Sequence, residues 1–230
     1  LGGVLRFYSF TNNPPGLNID EVSVGYNAYS ILKTGRDEHG QFLPLAFKSV
    51  GDYKPPMSIY LTIPSIALFG LNEFGVRFPA AFLSTISIPI YYLFFINFIK
   101  NIKVSLLATI LITISPWYIY YSRYAASEFL LSTLLVSLGI LSLLKMLSGK
   151  IIWGVFAALS LGLSMYTYHT ERLFVPLFIL VFVLLYRKIL LPQKRKLIVL
   201  FVSFLVLIIP LLVSLLGPAN IRAEETFITR

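Results

Sequence analysis

Six long stretches without a charged residue follow one another through the last two thirds of the chain. Short polar turns separate them, and they cover 78–99, 104–122, 129–144, 151–170, 173–186 and 197–221. A helix that spans a bilayer needs about 20 mostly apolar residues. The stretch 173–186 is the shortest, but Arg187 and Lys188 can reach the interface on long side chains, and 189–191 extend the apolar run. The pattern predicts six transmembrane helices within 78–216.

Both ends of the chain add to this topology. Residues 1–5 have the character of the last turn of a further apolar span, so we expect the chain to be a portion of a longer polytopic protein. Residues 217–230 predict the start of another outer loop. A seventh uncharged stretch, 55–72, contains three prolines, and prolines interrupt helices. We predict that this stretch lies beside the membrane and does not cross it.

The composition fits a membrane protein and narrows the functional classes. Hydrophobic residues make up 57% of the 230 residues and charged residues only 13%, and the mean hydropathy is +0.81. Soluble domains carry about 25% charged residues, so a soluble enzyme is excluded, and the hydrophobicity excludes a disordered chain. The chain has no cysteine, which excludes disulfides, thiolate nucleophiles and cysteine-based metal sites.

The charges separate into two sets along the chain. Three short turns, 100–103, 145–150 and 187–196, contain nine basic residues and no acid. The positive-inside rule places these turns in the cytoplasm. If 55–72 does not cross, all ten acids fall on the opposite, outer side. If it crosses, Asp20 joins the basic side. In a membrane protein this placement matters more than the net charge of +9, so no nucleic-acid partner is expected.

The polar segment 6–77 predicts an outer loop with two juxtamembrane helices. Asn18 and Glu21 have the spacing of a capping box, and Gly35 can end the helix that they begin. Apolar residues recur between them at helical spacing, at Ile19, Val22, Tyr26, Tyr29 and Leu32. The result is a short amphipathic helix on the membrane surface. Asp20 lies in its first turn, where the helix dipole favours an ionised carboxylate that can accept a proton.

The second part of this loop fixes a lysine. Lys54 precedes Pro55 and Pro56, and a residue before proline is held in extended backbone. The direction of the amine is therefore restricted. Residues 55–71 predict the second juxtamembrane helix, and 72–77 return the chain to the next span.

Several short motifs, in this order and spacing, resemble a known family. They are Pro14-Pro15-Gly16-Leu17 before Asn18-Ile19-Asp20-Glu21, Lys54-Pro55-Pro56, the run 69–80, Ser115-Pro116-Trp117, Ser122-Arg123-Tyr124 and Glu128. The chain resembles the N-terminal module of GT-C membrane glycosyltransferases. It is similar to the protein O-mannosyltransferase family and its bacterial relatives, which include the lipid A aminoarabinose transferases.

The resemblance implies an all-α integral membrane helix bundle of GT-C type whose long first outer loop carries juxtamembrane helices. It implies a transferase that moves a sugar from a polyprenyl-phosphate donor to a hydroxyl-bearing acceptor, which is a protein, a lipid or a glycan. The family's acidic motif matches Asp20 and Glu21, its second acidic position matches Glu128, and its phosphate-facing lysine matches Lys54. The aminoarabinose transferases have a glutamate implicated in a metal site where this chain has Tyr53, which argues against zinc.

Carboxylates and cations are the residue types that such a transfer needs. We expect an inverting reaction with Asp20 as general base, while Glu21 and Glu128 orient the acceptor or substrate. Candidates for binding the phosphate are Lys54, Arg77 and Arg123, although either arginine can equally be a headgroup anchor. Further candidates for substrate contact are Tyr53, His169, Glu171 and Arg172. No metal is assigned, and a requirement for a divalent cation stays open.

Three other functions compete with a transferase. A transporter or flippase for a lipid-linked sugar would place ionisable residues near the bilayer midplane, whereas here the charges gather at one rim. A lipid-linked sugar polymerase or ligase would also work at the outer rim. A non-catalytic subunit would keep the helices without the activity. The sequence favours the transferase.

Overall fold

The fold is helical apart from one short hairpin in the residues that the computed structural model describes, which are 1–49, 52–125 and 128–215. The helices are α1 (Gly2–Phe7), α2 (Ile19–Thr34), α3 (Pro56–Phe69), α4 (Glu73–Ile99), α5 (Ile102–Ile114), α6 (Pro116–Ser122), α7 (Glu128–Ser148), α8 (Ile152–Ser164), α9 (Glu171–Leu185), α10 (Arg187–Leu190) and α11 (Lys194–Leu215). A 3-10 turn covers Leu191–Gln193, and β1 (Phe47–Ser49) pairs with β2 (Asp52–Lys54). The predicted loop 217–230 lies outside the described residues.

Helix α2 has the ends that its sequence predicts. The Asn18 side chain accepts a hydrogen bond from the Glu21 backbone N–H at 2.8 Å, and the Glu21 carboxylate accepts one from the Asn18 N–H at 3.1 Å. This reciprocal pair satisfies two backbone donors that the first turn leaves open. Gly35 ends the helix at φ 70°, in the left-handed region that glycine adopts without steric cost. Helix α3 confirms the second helix predicted for the loop.

A single hydrophobic cluster joins the parts of the first loop. Its buried members come from α2, β1, α3, α4 and the segment before α7, and are Val24, Ala28, Ile31, Phe47, Ile59, Ile66, Val76 and Ala125. The loop is therefore a packed structure with its own core. Its polar groups have fixed positions because the elements that carry them cannot move independently.

Three helices are long and apolar enough to cross a membrane by length and composition in the described residues: Glu73–Ile99, Glu128–Ser148 and Arg187–Ser214. A fourth candidate is the pair α5 and α6, which is bent by 54° at Ser115 and Pro116. The stretches 151–170 and 173–186 form the shorter helices α8 and α9. Fourteen-residue α3 would be about 21 Å long, less than the roughly 30 Å hydrocarbon core. The count of six spans stays a prediction.

The chain divides into two units, Leu1–Leu131 and Ser132–Arg230. In the second unit, α8 packs closely on α11 because α8 presents small residues to it. A Cβ atom added at Gly162 would lie 3.0 Å from Leu207, and Ala157 and Ala158 are fully buried. Small residues let helix backbones approach in membrane proteins, where packing supplies the association energy.

Candidate active site

Asp20 and Lys54 form an ion pair at the surface of the first loop. The Lys54 ammonium lies 2.9 Å from Asp20 Oδ1, and the side chains are 15% and 43% exposed, respectively. Asp20 is placed by the first turn of α2. Lys54 ends β2 and is followed by Pro55, whose extended backbone (ψ 149°) leads into α3. Both charged groups therefore stand on fixed elements, and the carboxylate is open to solvent.

The next residue, Glu21, has the opposite environment. Its side chain is fully buried. Its oxygens accept hydrogen bonds from the Asn18 N–H, the Ala125 N–H at 3.1 Å and the Arg77 guanidinium. Glu21 thereby ties α2 to the segment before α7, which is 104 residues away in sequence. A carboxylate that accepts this many hydrogen bonds is held in one position.

Arg77 is the centre of this buried network. Its Nε lies 2.7 Å from Glu21 Oε1, and its Nη2 lies 3.0 Å from Glu21 Oε2. The remaining donors bind backbone carbonyls of the turn that precedes α2, at Phe10, Thr11, Pro14 and Gly16. Arg77 is fully buried. The guanidinium is thus saturated by protein groups, and its predicted contact with a donor phosphate stays a prediction.

Arg123 also binds backbone. Its Nε and Nη2 donate to the carbonyl oxygen of Leu5 at 3.1 and 2.7 Å, which joins the end of α6 to α1. Another arginine, Arg6, is fully buried in α1 and lies 5.2 Å from the centre of the Tyr118 ring. Of the three predicted phosphate-binding cations, Lys54 is therefore the one that the structure places beside Asp20.

Tyr124 is a residue that the sequence did not single out for the site. Burial is the main cause that raises its pKa, and the charges of Tyr120, Glu21 and Asp20 contribute to the rise. Its ring stacks on Tyr120 with centroids 5.6 Å apart. The phenol thus lies within electrostatic reach of both carboxylates. The sequence signal that pointed to Tyr124 was its position directly after Arg123 in the Ser122-Arg123-Tyr124 motif.

The other predicted site residues lie on several different elements. Glu128 begins α7, three residues after Ala125, and is a member of the first unit. His169, Glu171 and Arg172 belong to the second unit, where Glu171 Oε1 accepts a hydrogen bond from the Ser132 hydroxyl. Tyr53 faces Lys48 in the hairpin register. The roles predicted for these residues stay predictions.

The described residues contain no group of three or more His, Cys, Asp or Glu side chains that could hold a metal ion, either around Asp20 or elsewhere. The Asp20 carboxylate is paired with a cation, Lys54. A requirement for a divalent cation stays open.

A comparison with known protein families matches residues 1–219 to dolichyl-phosphate-mannose-protein mannosyltransferase, abbreviated PMT. The chain belongs to the PMT family. A comparison with curated proteins gives no match. The PMT-family match covers the capped helix α2, Lys54, the Arg77 network and every predicted transmembrane stretch up to residue 219.

Solved structures show that this PMT-family chain has the fold of ArnT from Cupriavidus metallidurans. The form bound to undecaprenyl phosphate matches with a TM-score of 0.67 at 17% identity, and the apo form with 0.63 at 18%. The matches cover 94% and 93% of this chain but only 40% of either ArnT chain. ArnT has the polytopic helical GT-C fold, so the PMT-family chain is an all-α integral membrane protein of that type.

Proposed function

We propose that this PMT-family chain is the N-terminal part of a membrane glycosyltransferase that moves a sugar from a polyprenyl-phosphate donor to a hydroxyl acceptor. One observation carries the proposal: a solvent-open carboxylate, Asp20, and a lysine, Lys54, lie 2.9 Å apart on a packed loop. One group of this pair suits the acceptor proton and the other suits the donor phosphate.

Asp20 acts as the general base in this proposal. The acceptor oxygen forms a bond to the anomeric carbon of the donor sugar while the bond from that carbon to the phosphate oxygen breaks. The electron pair leaves with the polyprenyl phosphate, and the acceptor proton passes to Asp20. Attack from the side opposite the leaving group inverts the anomeric centre. Proton removal by a placed base contributes typically 10²–10⁴-fold to such a rate.

Lys54 neutralises the leaving phosphate. Its ammonium is paired with Asp20. A donor phosphate brings more negative charge than a single carboxylate, and we expect it to take over the ammonium when the donor binds. Asp20 then loses its cation and becomes a better hydrogen-bond acceptor for the incoming hydroxyl. Donor binding thus prepares the base.

Two features support the nature and side of the donor. The description of the family names dolichyl phosphate, and the ArnT neighbour was solved with undecaprenyl phosphate. Both molecules are polyprenyl phosphates. In the described chain the basic segments 100–103 and 145–150 lie at helix ends, and 187–196 comprises α10, the 3-10 turn and the start of α11. The positive-inside rule assigns these turns to the cytoplasm. The proposed site then faces the extracytoplasmic side.

The test is turnover by the full-length protein in lipid nanodiscs with a polyprenyl-phosphate sugar. Asp20→Asn is expected to lower the rate by about 10²- to 10⁴-fold, because the amide cannot accept the proton. Glu73→Gln is the matched control, since Glu73 also lies exposed in the first turn of a helix of the same loop region, and it should keep the wild-type rate. A near-normal rate in Asp20→Asn would remove the assignment of the base. Absence of any transfer by the wild type would favour a transporter or a non-catalytic subunit.

A further inference from the structure

A cleft of about 250 Å³ lies between α2, the 37–40 turn and β1, and two of its lining residues, Ile19 and Ser23, lie one residue before and three residues after Asp20 in the sequence. One wall is an apolar side of α2, formed by Ile19, Val22 and Tyr26. These side chains are exposed although the polar residues Glu21 and Asn27 of the same helix are buried. The helix therefore has two apolar sides: Val24, Ala28 and Ile31 are buried in the loop core, and a second, exposed side faces the cleft.

The opposite wall is polar and is held in place by buried groups. Glu38 Oε1 accepts a hydrogen bond from the Asn27 amide at 2.8 Å, and the Glu38 N–H donates to Asn27 Oδ1 at 3.1 Å. Asp37 Oδ1 accepts from the N–H groups of His39 and Gln41. This turn is thereby fixed before any ligand arrives, which lowers the entropic cost of binding.

His39 completes the polar wall. Its Nε2 lies 3.3 Å from the carbonyl oxygen of Lys48 and 4.0 Å from Glu38 Oε1. A proton on Nε2 suits both neighbours and leaves Nδ1 as an acceptor. Glu38 Oε2 takes no hydrogen bond from the described residues. The wall therefore offers acceptors for several hydroxyl groups.

The cleft and the proposed catalytic pair are built on the same two elements, α2 and the hairpin. The hydroxyl of Ser49 donates to that of Ser23 at 3.0 Å, and both residues line the cleft. Ser23 is one helical turn beyond Asp20. In the hairpin, Lys54 faces Phe47, which is two residues from Ser49, so the Asp20–Lys54 and Ser23–Ser49 contacts join neighbouring parts of α2 and the hairpin. Because both contacts join the same two elements, we expect a ligand in the cleft to extend toward Asp20.

The chemistry of the walls selects the ligand. The lining has an acid and no lysine or arginine, which disfavours the donor phosphate. The volume holds one ring and is too small for a folded partner. An aromatic and aliphatic wall facing hydrogen-bonding groups matches a pyranose, which has an apolar C–H face and a rim of hydroxyls. A peptide would place only one side chain here.

We propose that this cleft is the acceptor subsite and takes one sugar ring of a carbohydrate acceptor. Tyr26 lies under the C–H face of the ring, and Glu38 and His39 bind its hydroxyls, which directs the reacting hydroxyl toward Asp20. The inference rests on the proposed function, because Asp20 must be the base for an acceptor to bind here.

The test uses the full-length protein in nanodiscs and two probes, a series of methyl glycosides and a capped threonine pentapeptide. Saturation-transfer NMR should give a signal for the ring protons of at least one methyl glycoside and none for the peptide. Tyr26→Ala and Glu38→Gln should raise the acceptor KM about five- to tenfold without changing the donor KM. The control is Tyr29→Ala, which lies one turn further along the same apolar side and does not line the cleft.

A second variant and a second readout separate the outcomes. If Tyr26→Ala fails to fold, Val22→Phe narrows the cleft by addition and should give the same loss of acceptor binding. Release of donor sugar to water measures the base without an acceptor, and it should persist in the cleft variants and fall in Asp20→Asn. Two results would overturn the sugar subsite alone. The first is release of the donor sugar to water together with no NMR signal for any methyl glycoside. The second is an NMR signal for the peptide that Tyr26→Ala abolishes. Absence of release in the wild type overturns the proposed function and the subsite with it.

Discussion

Two neighbouring carboxylates of α2 form ion pairs in opposite surroundings. Glu21 is fully buried, and its pair with Arg77 is saturated by backbone groups. Asp20 is open to solvent, and its partner Lys54 is only partly buried. A buried, saturated pair resists exchange because breaking it leaves an uncompensated charge, whereas a solvent-open pair is weak and exchangeable. The comparison fits the proposed function, in which Glu21–Arg77 holds the site and Asp20–Lys54 acts in it.

Removal of the Arg77 charge is expected to have the largest effect. Arg77→Met leaves Glu21 buried without its cation and frees four loop carbonyls, so the cost is about 3–5 kcal/mol of unfolding free energy. Thermal unfolding of the detergent-solubilised protein measures it. The double variant Glu21→Gln with Arg77→Met should lose less than Arg77→Met alone. Equal stability of Arg77→Met and wild type would show that this pair does not hold the site.

Removal of the Lys54 charge should change donor binding more than folding. A charge-assisted hydrogen bond is worth about 1.5–3 kcal/mol, so Lys54→Met should raise the donor KM by about 10- to 100-fold. Steady-state transfer at several donor concentrations measures it. Lys48→Met is the control, because Lys48 is exposed on the same hairpin and alternates with buried Phe47. A donor KM that Lys48→Met raises as much as Lys54→Met would mean that the loop binds phosphate only through its overall charge.

Removal of a helix cap should have the smallest effect and still separate the two roles. Asn18→Ala deletes the side-chain bond to the Glu21 N–H and should cost about 1 kcal/mol. Asn72→Ala removes the equivalent bond to the Gly75 N–H at the start of α4 and should cost a similar amount. Only Asn18→Ala should also lower transfer, because Asp20 lies in the turn that Asn18 caps. Equal transfer by both variants would contradict this link between cap and base.

The local structure around Asp20 could be predicted from the sequence because it depends on near neighbours. The Asn18–Glu21 spacing defines a capping box, and Gly35 defines the end of α2, so the helix was confirmed at both ends. Lys54 before Pro55 and Pro56 likewise fixes its own backbone. In each case the information lies within a few residues.

The different roles of the charged residues could not be predicted from their near neighbours in the sequence. Arg77 contacts groups 56 to 67 residues away, and Arg123 contacts Leu5, 118 residues away. The sequence shows that a residue is an arginine and carries a charge, but not which group it contacts. A buried structural arginine and a substrate-binding arginine therefore look the same in the sequence. The prediction of a span over 104–122 did not include the bend at Pro116, because the length of an uncharged stretch does not indicate where a helix bends.

The central claim is that donor phosphate displaces Asp20 from Lys54, and binding of undecaprenyl phosphate to the full-length protein tests it most directly. Asp20→Asn removes the competing carboxylate, so it should bind undecaprenyl phosphate about two- to fivefold more tightly than wild type, the gain expected for a partly exposed ion pair. Lys54→Met should bind it more weakly. Equal or weaker binding by Asp20→Asn, with the protein correctly folded, would contradict the exchange.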